Sequence, residues 1–290
     1  MSDWDGRGLP PVAAARVRRA AEGGAWTSLL SAPAAAGLEV AGFDPVGEVM
    51  GSIVQRIGWS SYYGCGARGW YGAASRTVTS VQDPRAGFAP YAHALETGWG
   101  TAIGRMVTEA TAIGADGIVG VRLSQSGLGN NAHEFTAIGT GVRARCRTRP
   151  RRVFSSHLPG QDVAKLVLAG WVPTDLVIGI AVGIRHDDWN TRQQRTWSAG
   201  NVEVGAYTEL IHQTRSDARR AFAAHVRSAG ADGAVVASMR LNSWEIEPAE
   251  GHTDHVAEST IFGTAIAQFH RSTAAPSRSL TYLPLKRSRS

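Results

Sequence analysis

The sequence predicts an α+β protein of two tandem two-layer modules, each running strand, helix, strand, strand with the helix packed on an antiparallel sheet. Three anchors that recur in the same order predict it. Ala41-Gly42-Phe43-Asp44-Pro45, followed by Val49 and Gly51, returns as Ala169-Gly170-Trp171-Val172-Pro173, followed by Val177 and Gly179. Gly114-Ala115-Asp116-Gly117 returns as Gly230-Ala231-Asp232-Gly233, and Glu134, Thr136, Gly139 and Thr140 return as Glu258, Thr260, Gly263 and Thr264. The offsets of 128, 116 and 124 residues differ while the order is kept, as expected of a duplicated unit whose connecting loops have drifted.

Each element follows from local pattern. Val46 to Ile57 and Leu176 to Ile184 are rich in Val, Ile and Gly without a helical stripe, and read as strands. Tyr91 to Ile113 and Val204 to Ser228 space their apolar residues three to four apart among Ala, Glu, Arg and Met, and read as amphipathic helices. Gly114 and Gly230 stand where a helix C-cap needs the left-handed conformation. Ile118 to Leu123 and Ala234 to Leu241 are the next strands, and Phe135 to Val142 and Thr260 to Ala267 return antiparallel to them, the second pair across a longer loop, Asn242 to Val256. The chain divides into a helical segment over 1–36, with helices at Pro11 to Ala21 and Ser31 to Leu38, a first module over 37–146, an Arg-rich linker over 147–163, a second module over 164–270, and a basic, disordered tail over 271–290.

Composition bounds the function. With 290 residues, 43% apolar and 19% charged, the chain can bury two cores. Two cysteines, Cys65 and Cys146, are too few for a disulfide framework and lack zinc-ligand spacing. No leader-like start and no apolar run of membrane-spanning length is present, so the expectation is a cytoplasmic protein away from membranes. The basic balance is local: Arg143, Arg145, Arg147, Arg149, Arg151 and Arg152 form one acid-free stretch, and Arg271, Arg278, Lys286, Arg287 and Arg289 another. Subtracting these six and five charges from +6 leaves −5, which argues against a broad basic nucleic-acid surface.

A helix ending in Gly114-Ala115-Asp116-Gly117, an apolar strand closing on Arg122-Leu123, and the strand Glu134-Phe135-Thr136-Ala137-Ile138-Gly139-Thr140-Gly141-Val142 resemble the YbjQ-like family, whose members are described as heavy-metal-binding proteins. The resemblance covers roughly residues 40–145 and 165–268. It implies a dodecin/YbjQ-like two-layer fold and self-association into a ring-like oligomer, commonly a pentamer for single-module relatives.

Several residues are candidates for chemistry. His252, Asp254, His255 and Glu258 gather imidazoles and carboxylates, the donors a divalent metal ion takes, in what otherwise reads as a solvated polar turn. His186 with Asp187 and Asp188 is a second such group, with a plain turn as its competing reading. Asp116 and Asp232 recur beside glycine, where a carboxylate accepts backbone amides in a helix-to-strand turn. Glu134 and Glu258 recur as interface or hairpin charges, with Arg122 and Arg240 as cross-strand partners. Arg143, Arg145, Arg147 and Arg149 alternate, so a continued strand puts four guanidiniums on one face, a site for an anion, nucleic acid or acidic partner. The insertion over 58–72 alternates Trp59, Tyr62, Tyr63, Trp70 and Tyr71 with glycines, suited to packing or to stacking on a ligand; Trp189 and Trp197 lie at the matching place in the second copy.

The leading function is a non-enzymatic oligomeric binding or assembly module. A divalent metal-binding protein is the first alternative, and anion or nucleic-acid binding through Arg143 to Arg152 the second. No phosphate-binding loop with lysine, Gly-x-Ser-x-Gly or His-Glu-x-x-His is present to support an enzyme.

Overall fold

The computed structural model describes residues 4–6, 8–22, 27–58, 77–81, 88–147, 149–196, 200–249 and 252–269. Most of the 58–72 insertion, Cys65, Trp197 and the tail over 271–290 lie outside them. In chain order the elements are α1 Pro11–Ala21, α2 Ala32–Val40, β1 Phe43–Arg56, β2 Val78–Thr79, α3 Ala89–Ala112, β3 Gly117–Gly129, β4 Ala132–Ala144, β5 Phe154–Ser155, α4 Gly160–Leu168, β6 Trp171–His186, α5 Trp189–Gln194, α6 Gly205–Ser228, β7 Gly233–Ala249 and β8 His252–Gln268.

The fold is α+β, with two four-stranded sheets ordered β1-β4-β3-β5 and β2-β6-β8-β7. The antiparallel run β1-β4-β3, with α3 against it, has the same order as β6-β8-β7 with α6, and both helices are 24 residues long. The helices end at the predicted glycines, which take left-handed φ values of +72° at Gly114 and +68° at Gly230.

Two hairpins are longer than their apolar runs suggest. β3 and β4 continue to a two-residue turn at Asn130 and Asn131, both with positive φ, the backbone that a tight hairpin requires. The segment expected as a long loop, Asn242 to Val256, is instead mostly strand: β7 and β8 pair from Gly233 with Ile266 to Ala249 with His252. Trp244, Ile246 and Val256 there alternate onto one face and pack with Phe88, Ala92, Val182 and Ile184, so packing from a distant helix extends the hairpin.

β6 explains how the halves are joined. Val177 and Ala181 on one of its faces pack on α6 with Ala218 and Phe222. Leu176 and Ile180 on the other face enter the core built by α3, where Leu95, Trp99 and Met106 lie. A strand covered on both faces needs a continuous apolar run, which is the sequence of β6. Each half also lends a strand to the other's sheet: β2 pairs antiparallel with β6, and β5 pairs parallel with β3. Residues 147–163, expected as a linker, therefore contain a sheet strand and the first turn of α4, because backbone groups at an open sheet edge capture whatever extended chain runs beside them.

Candidate assembly site at the joint between the two halves

The segment Phe154–Leu158 forms an arm between sheets. Its backbone pairs with the edge of β3: Phe154 N–H donates to Asp116 O (3.2 Å), Ser156 N–H to Ile118 O (2.8 Å), and Gly120 and Val121 N–H donate back to Leu158 O and Ser156 O (2.9 and 3.0 Å). The same arm is fastened to its own half by Thr264, whose buried hydroxyl accepts from His157 N–H at 3.0 Å and lies 3.3 Å from Ser156 Oγ. Ser156 Oγ in turn accepts from Leu158 N–H at 3.1 Å.

The first half carries an arm of the same construction. Leu29 N–H donates to Thr140 Oγ1 (3.1 Å), Ser28 Oγ lies 3.5 Å from that hydroxyl, and Leu30 N–H donates to Ser28 Oγ (3.1 Å). Thr140 and Thr264 belong to the third anchor of the sequence, so their recurrence has a physical use: a buried hydroxyl pins an arm to its own half of the chain. Sequence reasoning saw the threonines and missed the arms. The available signal was Thr27-Ser28-Leu29-Leu30 returning as Ser155-Ser156-His157-Leu158 at the offset of the first anchor, 128 residues.

His157 is where the arms differ chemically. Its ring stands edge-on to Phe262 (centroids 5.7 Å apart), with Nδ1 at 2.6 Å from Thr264 Oγ1, and burial holds its pKa below the ordinary histidine value. The folded state favours the neutral ring, so the unfolded chain binds the proton first, and stability is lost as pH falls from the unfolded value of about 6.5 toward the folded one. Denaturation followed by circular dichroism between neutral pH and mildly acidic pH is expected to show this loss, and His157→Leu, the residue of the first arm, is expected to reduce the slope. An unchanged slope would remove His157 from the account.

A cleft of about 420 Å³ lies beside the joint, lined by Glu96, Trp99 and Ile103 of α3, Leu176 and Ile178 of β6, and His225 of α6 among others. His225 Nδ1 accepts from Ile178 N–H (3.3 Å) there, and the equivalent backbone donor in the first half, Met50 N–H, is met by Glu109 at 3.0 Å.

The far end of the second sheet holds a dense charge cluster. Arg195 donates to the buried Asp187 (2.7 Å) and to Glu245 (2.9 Å). His255 Nε2 faces both Tyr207 OH (2.6 Å) and Asp187 Oδ1 (3.0 Å), so that carboxylate oxygen is satisfied by the imidazole only when Nε2 carries a proton. Burial first, and Asp187 second, raise the Tyr207 pKa above the ordinary phenol value.

Strand alternation decides how the predicted metal residues meet. Asp254 and Glu258 share one face of β8, where Asp254 pairs with His186 (2.5 Å) and Glu258 accepts from Tyr91 OH (2.7 Å). His255 points to the opposite face and joins Asp187, with Arg195 already standing where a cation would sit; the His252 side chain is outside the described structure. Among the described residues no group of three or more His, Cys, Asp or Glu side chains has the arrangement of a metal site. Asp188 caps α5 by accepting from Thr191 N–H (2.7 Å).

Asp116 and Asp232 hold equivalent turns, accepting from Ala144 N–H (2.8 Å) and Gln268 N–H (2.9 Å). The expected pairs Glu134 with Arg122 and Glu258 with Arg240 are not formed: the register sets Glu134 opposite Ser126 and Arg122 opposite Ile138, too far apart to meet, and Glu258, diagonal to Arg240, accepts from Tyr91 OH instead. The arginine face also requires correction. β4 stops at Ala144; Arg143 caps α3 by donating to Gly114 O and Ile113 O (2.8 and 2.9 Å), while Arg145 pairs with Asp44 (2.6 Å) and Arg149 lies 3.3 Å from Asp116, these two being exposed like Arg147. Guanidiniums engaged with carboxylates and a helix end of the same chain do not form an open anion site.

No helix among the described residues is long and apolar enough to cross a membrane. Residues 46–145 match the YbjQ family, whose description reads "Putative heavy-metal-binding". The chain is 31% identical over 255 residues to the Encapsulin nanocompartment protein Rv1762c of Mycobacterium tuberculosis, covering 84% of this chain and 89% of that protein. Shorter stretches are similar to UPF0145 proteins: 43% identity over 54 residues with that of Psychrobacter arcticus (19% of this chain, 34% of that protein), and 54% over 41 residues with that of Clostridium perfringens (14% and 39%). No solved structure matches. The chain belongs to the family of the mycobacterial encapsulin nanocompartment protein, with a YbjQ-type region at residues 46–145.

Proposed function

We propose that this protein is a non-enzymatic assembly module made of two YbjQ-type units, 37–146 and 164–270, each extended by its own N-terminal arm, and that it self-associates into a ring-like oligomer. The observation that carries this reading is the repeated arm with its threonine pin, Thr140 in one unit and Thr264 in the other, one of which already joins two sheets. The relative's name, an encapsulin nanocompartment protein, supports a role in assembly. A cytoplasmic location, expected from composition, belongs to the same proposal.

Binding of a divalent metal ion is the second reading, favoured by the family description and by the pairs His186–Asp254, part-buried, and His255–Asp187, buried. Native mass spectrometry of untagged protein before and after chelation separates the two. The assembly reading expects an oligomer whose mass survives chelation. A single-chain species at tens of micromolar would sink assembly, and a stoichiometric ion lost together with the oligomer would put the metal first.

A further inference from the structure

The joint between the halves is head-to-tail: the two units contribute different surfaces to it, so each surface used once inside the chain has an unused equivalent. The second arm lies on β3. Its edge residues Ile118, Val119 and Val121 are buried, at 0%, 0% and 3% exposure. The matching stretch of the second unit, Ala234 to Ala237, stands at the outer edge of its sheet with no strand beside it among the described residues, and Val236 is 52% exposed. Gly117 lies so close under the Phe154 ring that a Cβ would meet it at 2.1 Å, whereas a Cβ on Gly233 would find only Ile266, at 3.9 Å. The helices repeat the asymmetry. Gly37 of α2 closes on Gln161 of α4, and Gly160 of α4 on Ala34 and Leu38 of α2, so non-equivalent faces touch. On β1, Val54 is 57% exposed, while its counterpart Val182, covered by the first half, is fully buried.

We infer that the free edge from Asp232 to Ala237, at the start of β7, is the docking surface for the Thr27–Leu30 arm of a second copy of this chain. This rests on the assembly reading above and names its surface and partner. In the docked pair, Ser28 N–H of the incoming copy meets Ala234 O, as Ser156 N–H meets Ile118 O within the chain, and a parallel strand completes the second sheet as β5 completes the first. The first arm is prepared for this: Thr140 pins it through the Leu29 amide, as Thr264 pins the second through the His157 amide. A heterologous contact between a unit's arm and the preceding unit's edge propagates from copy to copy without any two-fold interface, and forms a ring where the rotation per step closes. A long apolar strand edge left open is an aggregation hazard, and occupation by a second copy removes it.

The polarity of the internal joint makes the test specific. Val236→Lys with Ala237→Lys blocks the edge at exposed positions and leaves the arm intact; Ser28→Pro removes the arm's donor and leaves the edge intact. In native mass spectrometry each variant alone is expected to fall to a single chain of 30.7 kDa, and an equimolar mixture to recover a two-chain species, because one intact arm then meets one intact edge. Thr27→Cys with Ala234→Cys, equivalents of the register partners Ser155 and Ile118, gives an independent reading in a Cys65→Ser/Cys146→Ser background. It is expected to yield covalently linked chains that separate on reduction. An oligomer unaffected by both blocking variants, or a cysteine pair that links nothing, would overturn the arm-on-edge contact while leaving self-assembly standing. A wild-type chain that is monomeric would overturn both.

Discussion

Replacing Gly51 or Gly179 with valine is expected to destabilise the protein by roughly 3 kcal/mol or more, at the upper end for overpacked positions. A Cβ on Gly51 would sit 2.0 Å from Ala102 O and 2.5 Å from Met106 N, and one on Gly179 2.3 Å from Ala218 O and 2.5 Å from Phe222 N. Those neighbours are helix backbone, so a side chain at either position must push α3 or α6 off its sheet and open the core behind it. Gly104, inside α3 with nothing within 4 Å of a Cβ, has the opposite sign: Gly104→Ala is expected to stabilise by about 0.5–1 kcal/mol through backbone entropy alone. Urea denaturation midpoints check both. A Gly51→Val chain as stable as wild type would mean that α3 does not lie this close to β1.

Arg16→Met is expected to cost about 2–3 kcal/mol, more than removing its partner. Glu109 is buried at 1% exposure, and Arg16 supplies two donors to it, Nε and Nη2, each at 2.6 Å, with Met50 N–H as the third at 3.0 Å. Without the guanidinium, a carboxylate remains in the core with one amide for company, which is the expensive way to break an ion pair. The Arg16 side chain is 37% exposed, so water screens the pair and the loss falls below that of fully buried pairs. Glu109→Leu instead releases a guanidinium that water can solvate and leaves one amide unpaired, a loss of about 1–2 kcal/mol. The double variant Arg16→Met/Glu109→Leu is therefore expected to be more stable than Arg16→Met alone. Thermal unfolding of the three chains measures the coupling, and simple additivity would show that α1 is not held to α3 by this pair.

Some of the site was legible and some was not. The glycine caps at Gly114 and Gly230, the turn carboxylates Asp116 and Asp232, and the recurring Thr140 and Thr264 follow from local chemistry and were readable as repeats. The roles of the threonines were not, because a hydroxyl pinning an arm more than a hundred residues away leaves no mark on periodicity. The alternating arginines illustrate the opposite error. Spacing alone places them on one face, but the acids and the helix end that engage Arg143, Arg145 and Arg149 lie far off in sequence. Proximity in sequence groups His255 with Asp254 and Glu258, and the period of two in a strand turns it to the other face.

By itself the sequence determined the α+β class, the order strand, helix, strand, strand in both halves, and where the long helix of each half stops, since these depend on apolar spacing and on backbone conformations open chiefly to glycine. Tertiary structure alone decided that β6 is covered on both faces, that β2 and β5 cross into the opposite sheets, and that the stretch from Asn242 to Val256 is largely strand. Each of these turns on which distant surface meets an open sheet edge or face, and edge pairing is made through backbone groups that every residue carries, so side-chain sequence records it only faintly.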